Sequence, residues 1–291
     1  MTERAEENGI LFKIACGLCG IFVIFSYSLL SFLMRAIPGV EDLDSSTRRI
    51  VISGVWLVLA VAAALVLYFT KKQKPLEGFR LLEIRSKKQA YIMPVMTVTA
   101  FLGGIGLNRI VTVANSVIPF PDSWVSAHEE SVEAVTEGDP IVSVIAVCVL
   151  APLIEELSMR GKGIYDFRKA FGKRAGTAVA VILTSLLFAI LHGNIIQGLY
   201  AFICGLLFAL LSLRAGSVVP SIFAHIGFNA SNLLFYAFLN NPNREYLTLF
   251  VNIACLAVFL ISAAAVWIMG SFLREKKKRD DAPPHDIYID R

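Results

Sequence analysis

Charged side chains are scarce in this sequence. Asp, Glu, Lys and Arg make up 17% of its 291 residues, whereas hydrophobic residues make up 56%. Ordinary soluble domains contain about 25% charged residues, because those side chains cover the surface. The shortage of charge therefore excludes an ordinary soluble domain and indicates a chain that lies in a membrane.

Hydrophilic stretches long enough for a soluble domain are also missing. The chain consists largely of apolar runs of about 20 residues, the length that a helix needs to cross the hydrocarbon core. We predict an all-α, polytopic membrane helix bundle with about eight transmembrane helices. The first run is too long for a signal peptide and lacks a clear cleavage site, so we expect it to remain as a helix. The predicted spans are 10–34, 50–70, 91–117, 141–157, 176–191, 195–213, 218–239 and 247–273.

One long loop contains no basic residue. The stretch 119–140 has six acidic residues and no Lys or Arg, whereas basic residues follow the second, fourth, sixth and eighth spans. By the positive-inside rule, both termini are predicted to be cytoplasmic. Arg35, Arg48 and Arg49 in the first outer loop oppose this trend without outweighing it. The net charge of +4 thus indicates topology and attraction to the lipid bilayer, not nucleic-acid binding.

The predicted bundle occupies residues 1–274, and the charged segment 275–291 is predicted to be a disordered cytoplasmic tail. Residues 122–137 are predicted to form a short surface helix. The basic segment 161–173 is predicted to be amphipathic and to lie at the cytoplasmic interface. Cys16 and Cys19 form a Cys-x-x-Cys pair, which we interpret as small packing residues and not as a redox or metal site.

Two adjacent acids and an arginine end the fourth predicted span. Glu156 and Arg160 are four residues apart, so they lie on one helix face and can form an ion pair. Glu155 is rotated from Glu156 by about 100° and is free to face another neighbour. Carboxylates in hydrocarbon are costly, so they persist where they have partners and a function. The alternative interpretation is an ordinary interfacial helix end.

Two later apolar runs contain the other polar groups. Phe188 lies one turn before His192 and can pack against its imidazole. His225 and Asn229 share one helix face, and Gly227 between them allows a close approach. His225 and Asn229 can donate hydrogen bonds to an oxyanion. Alternatively, His225 can join His192 as a metal ligand.

Together these runs resemble the CPBP intramembrane proteases, which include the type II CAAX prenyl endopeptidases and the Abi bacteriocin-processing proteins. Their pattern is EExxxR, FxxxH and HxxxN. This chain matches every position of that pattern. The resemblance covers the predicted core at 141–239. The matching residues are Glu155, Glu156 and Arg160, then Phe188 and His192, then His225 and Asn229.

The resemblance implies an endopeptidase that hydrolyses a peptide bond within the membrane. Glu155 and His192 would activate water, and His225 and Asn229 would stabilise the oxyanion. Glu156 and Arg160 would hold the site together. The family is described both as metalloprotease and as metal-free glutamate protease. The cofactor is therefore none or Zn²⁺, and in the second case His192, His225 and Glu155 would be the ligands.

The expected partner is a membrane-associated peptide, either CAAX-like or a leader peptide, and the expected location is the bacterial plasma membrane. The sequence gives no indication of oligomeric state. Two other functions remain open, a proton-coupled transporter and a non-catalytic immunity or scaffold protein. The predicted span boundaries also leave a conflict, because they separate Glu155 and His192 in depth by about 15 Å.

Overall fold

The computed structural model describes residues 9–71, 87–136, 138–172, 176–239 and 245–275, and the regular secondary structure in these ranges is entirely helical. The predicted all-α class is therefore confirmed. In chain order the described helices are α1 (Ile10–Arg35), α2 (Ser45–Lys71), α3 (Lys87–Val117), α4 (Asp122–Thr136), α5 (Pro140–Phe171), α6 (Gly176–Leu191), α7 (Ile195–Ala215), α8 (Val219–Leu239) and α9 (Glu245–Glu275).

Six of the described helices are long and apolar enough to cross a membrane. They are α1, α2 over Ser45–Ala63, α3, α5, α7 and α9 over Leu247–Leu273. Helix α6 is apolar, but it has only 16 residues. The helical membrane bundle is confirmed, whereas the number of eight spans and the cytoplasmic termini remain predictions. Most of the basic loop after the second span, and the tail beyond residue 275, lie outside the described residues.

Helix α5 is longer than predicted. Asp139 caps its start by accepting hydrogen bonds from the N–H groups of Ile141 and Val142, at 2.8 and 3.1 Å. Pro140 follows at the first helical position, where its missing N–H costs nothing. The predicted end at residue 157 is wrong, because the helix continues to Phe171. The basic residues that resembled a loop belong to this helix, and Glu155 therefore lies near its middle.

Two segments of α5 are wound as π-helix. Ile145–Leu150 and Leu157–Gly163 enclose the α-helical turn Ala151–Glu156, which carries both glutamates. A side chain at Gly163 would place its Cβ 2.8 Å from the Ser158 carbonyl oxygen, so glycine is required there. Segments of π-helix shift the helix's own hydrogen bonds and are frequent at functional sites. Their position on both sides of this turn therefore indicates that the turn is functional.

Helices α3 and α8 cross with their backbones in contact. A Cβ at Gly104 would lie 1.9 Å from the Ala224 carbonyl oxygen, and one at Gly227 would lie 2.2 Å from that of Phe101. Only glycine permits this approach from both sides. The crossing fixes the depth and rotation of the part of α8 that carries His225 and Asn229.

A tight turn joins α6 to α7. Gly193 has φ of +77°, a left-handed conformation that favours glycine. Asn194 then caps α7, because its side-chain oxygen accepts a hydrogen bond from the N–H of Gln197 at 2.8 Å. In α7 the small residues Ala201, Gly205 and Ala209 repeat at every fourth position and form a buried small-residue stripe. Close packing of α6 on α7 therefore brings His192, at the end of α6, against the bundle.

Candidate active site

Glu156 and Arg160 form a fully buried ion pair. Arg160 Nη1 donates to Glu156 Oε1 at 2.8 Å, and both side chains have 0% exposure. Burying two charges costs several kcal/mol each, and that cost is offset only when the pair is well hydrogen-bonded. The predicted helix-face pairing is thus present, but at the centre of the protein and not at an interfacial helix end.

The Arg160 guanidinium has three further contacts. Its Nη2 donates to the carbonyl oxygen of Gly205 at 3.1 Å. Its Cζ lies 4.7 Å from the ring centre of Phe188 and 5.7 Å from that of Phe208. Cation–π contacts of this kind are worth about 2 kcal/mol when they are desolvated. Arg160 therefore ties α5 to both α6 and α7.

His225 joins the same buried cluster from α8. Its Nδ1 lies 3.1 Å from Glu156 Oε1, and an ionised carboxylate can only accept, so Nδ1–H is the donor. The imidazole stacks on Phe208 with ring centres 5.1 Å apart and meets the edge of Phe188 at 5.7 Å. One carboxylate oxygen of Glu156 is thereby shared by Arg160 and His225.

Glu155 faces a different direction. Its side chain is 34% exposed, and its Oε2 lies 3.6 Å from His225 Nε2. Glu156 holds the opposite ring nitrogen. His225 is consequently placed between the two carboxylates, and Glu155 is the one that water can reach.

His192 also packs against Phe188. Its Nδ1 is 2.7 Å from the Phe188 carbonyl oxygen, and its ring meets the Phe188 ring edge-on at 4.6 Å. Because a carbonyl can only accept, Nδ1 carries the proton and the neutral ring has its lone pair on Nε2. A lone pair at Nε2 can accept a proton or bind a metal.

One phenyl ring therefore contacts both histidines. The depth conflict in the sequence prediction rested on a helix that ended at residue 157. Because α5 continues for another 14 residues, Glu155 is not at the end of a span.

Asn229 has a different partner from the other motif residues. Its Nδ2 donates to the Val147 carbonyl oxygen at 2.8 Å. Val147 lies in the first π segment of α5, two turns before Glu155. This bond fixes the Asn229 amide against α5.

Three residues outside the sequence motifs also contribute to the site. Val147 and Gly205 contribute their carbonyl oxygens, and Phe208 contributes its ring. Phe208 lies three residues after Gly205 and one before Ala209, beside the small-residue stripe. An aromatic residue next to such a stripe was the signal in the sequence that could have identified Phe208 as part of the site. The two carbonyl contacts left no signal, since a backbone oxygen is present at every position.

The donor types at this site fit zinc, but their arrangement does not form a metal cage. Both histidines use Nδ1 for a hydrogen bond, as metal-ligating histidines do. Among the described residues, however, no three His, Cys, Asp or Glu side chains come together as a group that could hold a metal ion. The zinc ligands therefore remain a prediction.

The fold and the site together define a helical membrane protein with buried Glu, Arg and His side chains at its centre. Residues 137–231 match the family described as Type II CAAX prenyl endopeptidase Rce1-like. The match covers about a third of the chain and includes every motif residue from Glu155 to Asn229. It confirms the resemblance to the CAAX and CPBP proteases. Searches of curated proteins and of solved structures gave no match.

Proposed function

We propose that this protein is an intramembrane endopeptidase that hydrolyses a peptide bond of a membrane-associated peptide. The observation that carries the proposal is the position of Glu155, a partly exposed carboxylate 3.6 Å from His225 Nε2 and next to a buried ion pair. A carboxylate in that position meets water on one side and fixed polar groups on the other. The family match supports the same reaction class.

Glu155 and His192 are the proposed water-activating groups. The Glu155 carboxylate accepts a proton as the water oxygen attacks the scissile carbonyl carbon. The lone pair on His192 Nε2 provides a second acceptor. The proton that was taken from water is then delivered to the amine nitrogen as the C–N bond breaks. Each step conserves protons, and water is the only co-reactant.

His225 and Asn229 are the proposed oxyanion donors. The Asn229 amide is fixed by Val147 and retains a second N–H. His225 already donates Nδ1–H to Glu156, so it must also carry a proton on Nε2 to donate there. An imidazolium at this position would stabilise an oxyanion with a full charge.

The Glu156–Arg160 pair is proposed to position these groups and not to react. Neither side chain is exposed, and Glu156 holds the Nδ1 edge of His225. The orientation of His225 thus depends on Glu156 in the way that a catalytic imidazole depends on its carboxylate partner.

The test is hydrolysis by the purified protein in lipid vesicles. The probe is a prenylated peptide with a short C-terminal extension, the substrate type in the description of the matching family. Mass spectrometry in ¹⁸O-water should show one ¹⁸O in the new carboxylate, and Glu155→Gln should abolish the product. Glu130→Gln, which removes an exposed acid in α4, is the matched control and should remain active.

A leader-type peptide serves as a second probe. Cleavage of that peptide alone would identify the substrate as a leader peptide. If Glu155→Gln cleaves as fast as the unaltered protein, or if neither peptide is cleaved, the proposed function is wrong.

A further inference from the structure

An apolar groove runs along the pair of helices α3 and α9. It is lined by Leu102 and Ile105 of α3 and by five residues of α9 between Phe250 and Val258, and its volume is about 270 Å³. All of the lining side chains are apolar, and none belongs to the motifs of the candidate active site. A groove of this composition accepts a hydrocarbon chain more readily than a polar ligand.

Two glycines of α3 bring the backbones of these helices together. A Cβ at Gly106 would lie 2.5 Å from the Cys255 carbonyl oxygen, and one at Gly103 would lie 3.0 Å from the Ser262 Cβ. As the residue number rises along α3, the number of its neighbour in α9 falls, so the two helices are antiparallel. The groove is therefore a furrow beside a closely packed seam and not a gap between loosely packed helices.

Arg109 lies beyond one end of the groove. It follows Leu102 by seven residues and Ile105 by four, so the three side chains share one face of α3. Its Nη2 and Nε donate to Asn252 Oδ1 at 2.9 and 3.3 Å, and Asn252 adjoins Val251 of the groove lining. The amide orients the guanidinium, but because an amide is neutral it leaves the positive charge in place.

The ends of the two helices indicate the depth of Arg109 in the membrane. Helices α3 and α9 have 31 residues each, so each is about 46 Å long and exceeds the hydrocarbon core by about 16 Å. Arg109 is eight residues before the end of α3, and Asn252 is seven after the start of α9. Centred in the bilayer, the pair places Arg109 about 4 Å inside the core, from where its side chain reaches the headgroups. Leu102 and Val258 lie about 10 Å deeper, so the groove stays within one leaflet.

We propose that the seam between α3 and α9 binds one anionic phospholipid, with its phosphate on Arg109 and one acyl chain in the apolar groove. The positive group and the groove are arranged in the order of a phospholipid, with the charge at headgroup depth and the apolar furrow below it. A guanidinium binds phosphate through two parallel hydrogen bonds. Phosphate is also the anion that the membrane itself provides at this depth. The bound lipid would hold α3 and α9 together at a position where their own contact is a charge on an amide.

The experiment measures lipid binding by native mass spectrometry of the purified full-length protein. The protein is titrated in detergent with phosphatidylglycerol and, separately, with phosphatidylcholine of the same acyl chains, which carries its own cation beside the phosphate. The first phosphatidylglycerol should bind roughly 10- to 100-fold more tightly, the value of a charge-assisted hydrogen bond. Arg109→Gln should remove this preference, and Arg109→Lys should retain part of it, because the ammonium keeps the charge without the planar fork. Arg35→Gln, which removes an exposed arginine from the last turn of α1, is the control and should retain the preference in full.

A second pair of variants tests the acyl chain. Ala254→Phe places a ring in the groove, whereas Ile253→Phe adds a ring at the neighbouring position, which is 60% exposed and does not line the groove. Displacing two methylene groups of the chain costs about tenfold in affinity. Ala254→Phe should therefore weaken phosphatidylglycerol binding by at least about tenfold, and Ile253→Phe should leave it unchanged.

Three results overturn the proposal. The first is an Arg109→Gln protein that keeps its thermal midpoint and still prefers phosphatidylglycerol. The second is equal binding by Ala254→Phe and Ile253→Phe, a comparison that also decides the matter if Arg109→Gln does not fold. The third is displacement of the lipid by a prenylated peptide, since the groove would then bind the substrate's own lipid group. Peptide cleavage enters none of these measurements, so the inference and the proposed function are tested separately.

Discussion

The two halves of the candidate site differ in their contact with water. In the closed half, Glu156 and Arg160 have no exposed surface, and the Arg160 guanidinium packs against Phe188 and Phe208. In the open half, Glu155 is 34% exposed. His192 lies half-buried at the turn after α6. Two adjacent residues of one helix thus have opposite environments, because they point about 100° apart.

This difference separates the tasks of the two halves. The closed half carries a large desolvation cost, which its ion pair and hydrogen bonds must offset, so its integrity is coupled to folding. The open half can exchange protons with water at little cost to stability. Substitutions in the closed half should therefore lower stability as well as activity, whereas those in the open half should lower activity alone.

The largest loss of activity is expected at Glu155 in the open half. Glu155→Gln keeps the shape of the side chain but cannot accept a proton, so hydrolysis should fall by about 10³-fold or more. The free energy of unfolding should change by less than about 0.5 kcal/mol, since the side chain is partly exposed. Thermal unfolding in detergent beside a peptide-cleavage assay measures both. An equally large loss of stability in Glu155→Gln and Glu156→Gln would remove the distinction between the halves.

Glu156→Gln should affect both properties. Arg160 would remain buried without its counter-ion, which costs about 3–5 kcal/mol. Hydrolysis should fall by about 10²-fold, because His225 loses the carboxylate that orients it.

The double variant Glu156→Gln with Arg160→Met sharpens this test. It removes both charges together, so its stability should lie above that of Glu156→Gln alone. Thermal unfolding of the two variants, measured side by side, makes the comparison. A double variant that is less stable than the single one would show that the ion pair is not what Glu156 contributes.

His192→Asn tests the open half from its other side. The asparagine amide can still donate to the Phe188 carbonyl oxygen, but it has no basic nitrogen in place of Nε2. Folding should be retained, and hydrolysis should fall by about 10²-fold, the lower range for a general base. The thermal midpoint and the cleavage rate are the measurements, with His128→Asn in α4 as the control. Loss of folding in His192→Asn would assign this imidazole to the closed half.

Much of the fold follows from the sequence. Apolar runs of span length define the helices, and Gly227, between His225 and Asn229, predicted a close approach to a neighbouring helix. The end of α5 was missed because Arg160 and Lys162 have the composition of a loop. Whether an arginine is buried depends on partners from other helices, and these come together only in the folded protein.

The candidate site was predictable to a similar extent. The motifs identify Glu155, His192 and His225, and the spacing predicts the pairing of Glu156 with Arg160. Spacing within one helix could not predict that Glu156 also holds His225, because that contact joins α5 to α8.

The smallest effect is expected from removal of metal ions. If Glu155 and His192 act as the acid–base pair, hydrolysis should persist after dialysis against a chelator. If instead His192 and His225 bind zinc, both rings must be neutral, and chelation should stop the reaction until zinc is restored.

The metal-free scheme is favoured because Asn229, which shares a helix face with His225, is a poor zinc ligand and a good oxyanion donor. Metal analysis of active protein before and after dialysis decides the matter. Stoichiometric zinc that is lost together with activity would reverse this preference, and His192 Nε2, left free by the Phe188 hydrogen bond, would then be its first ligand.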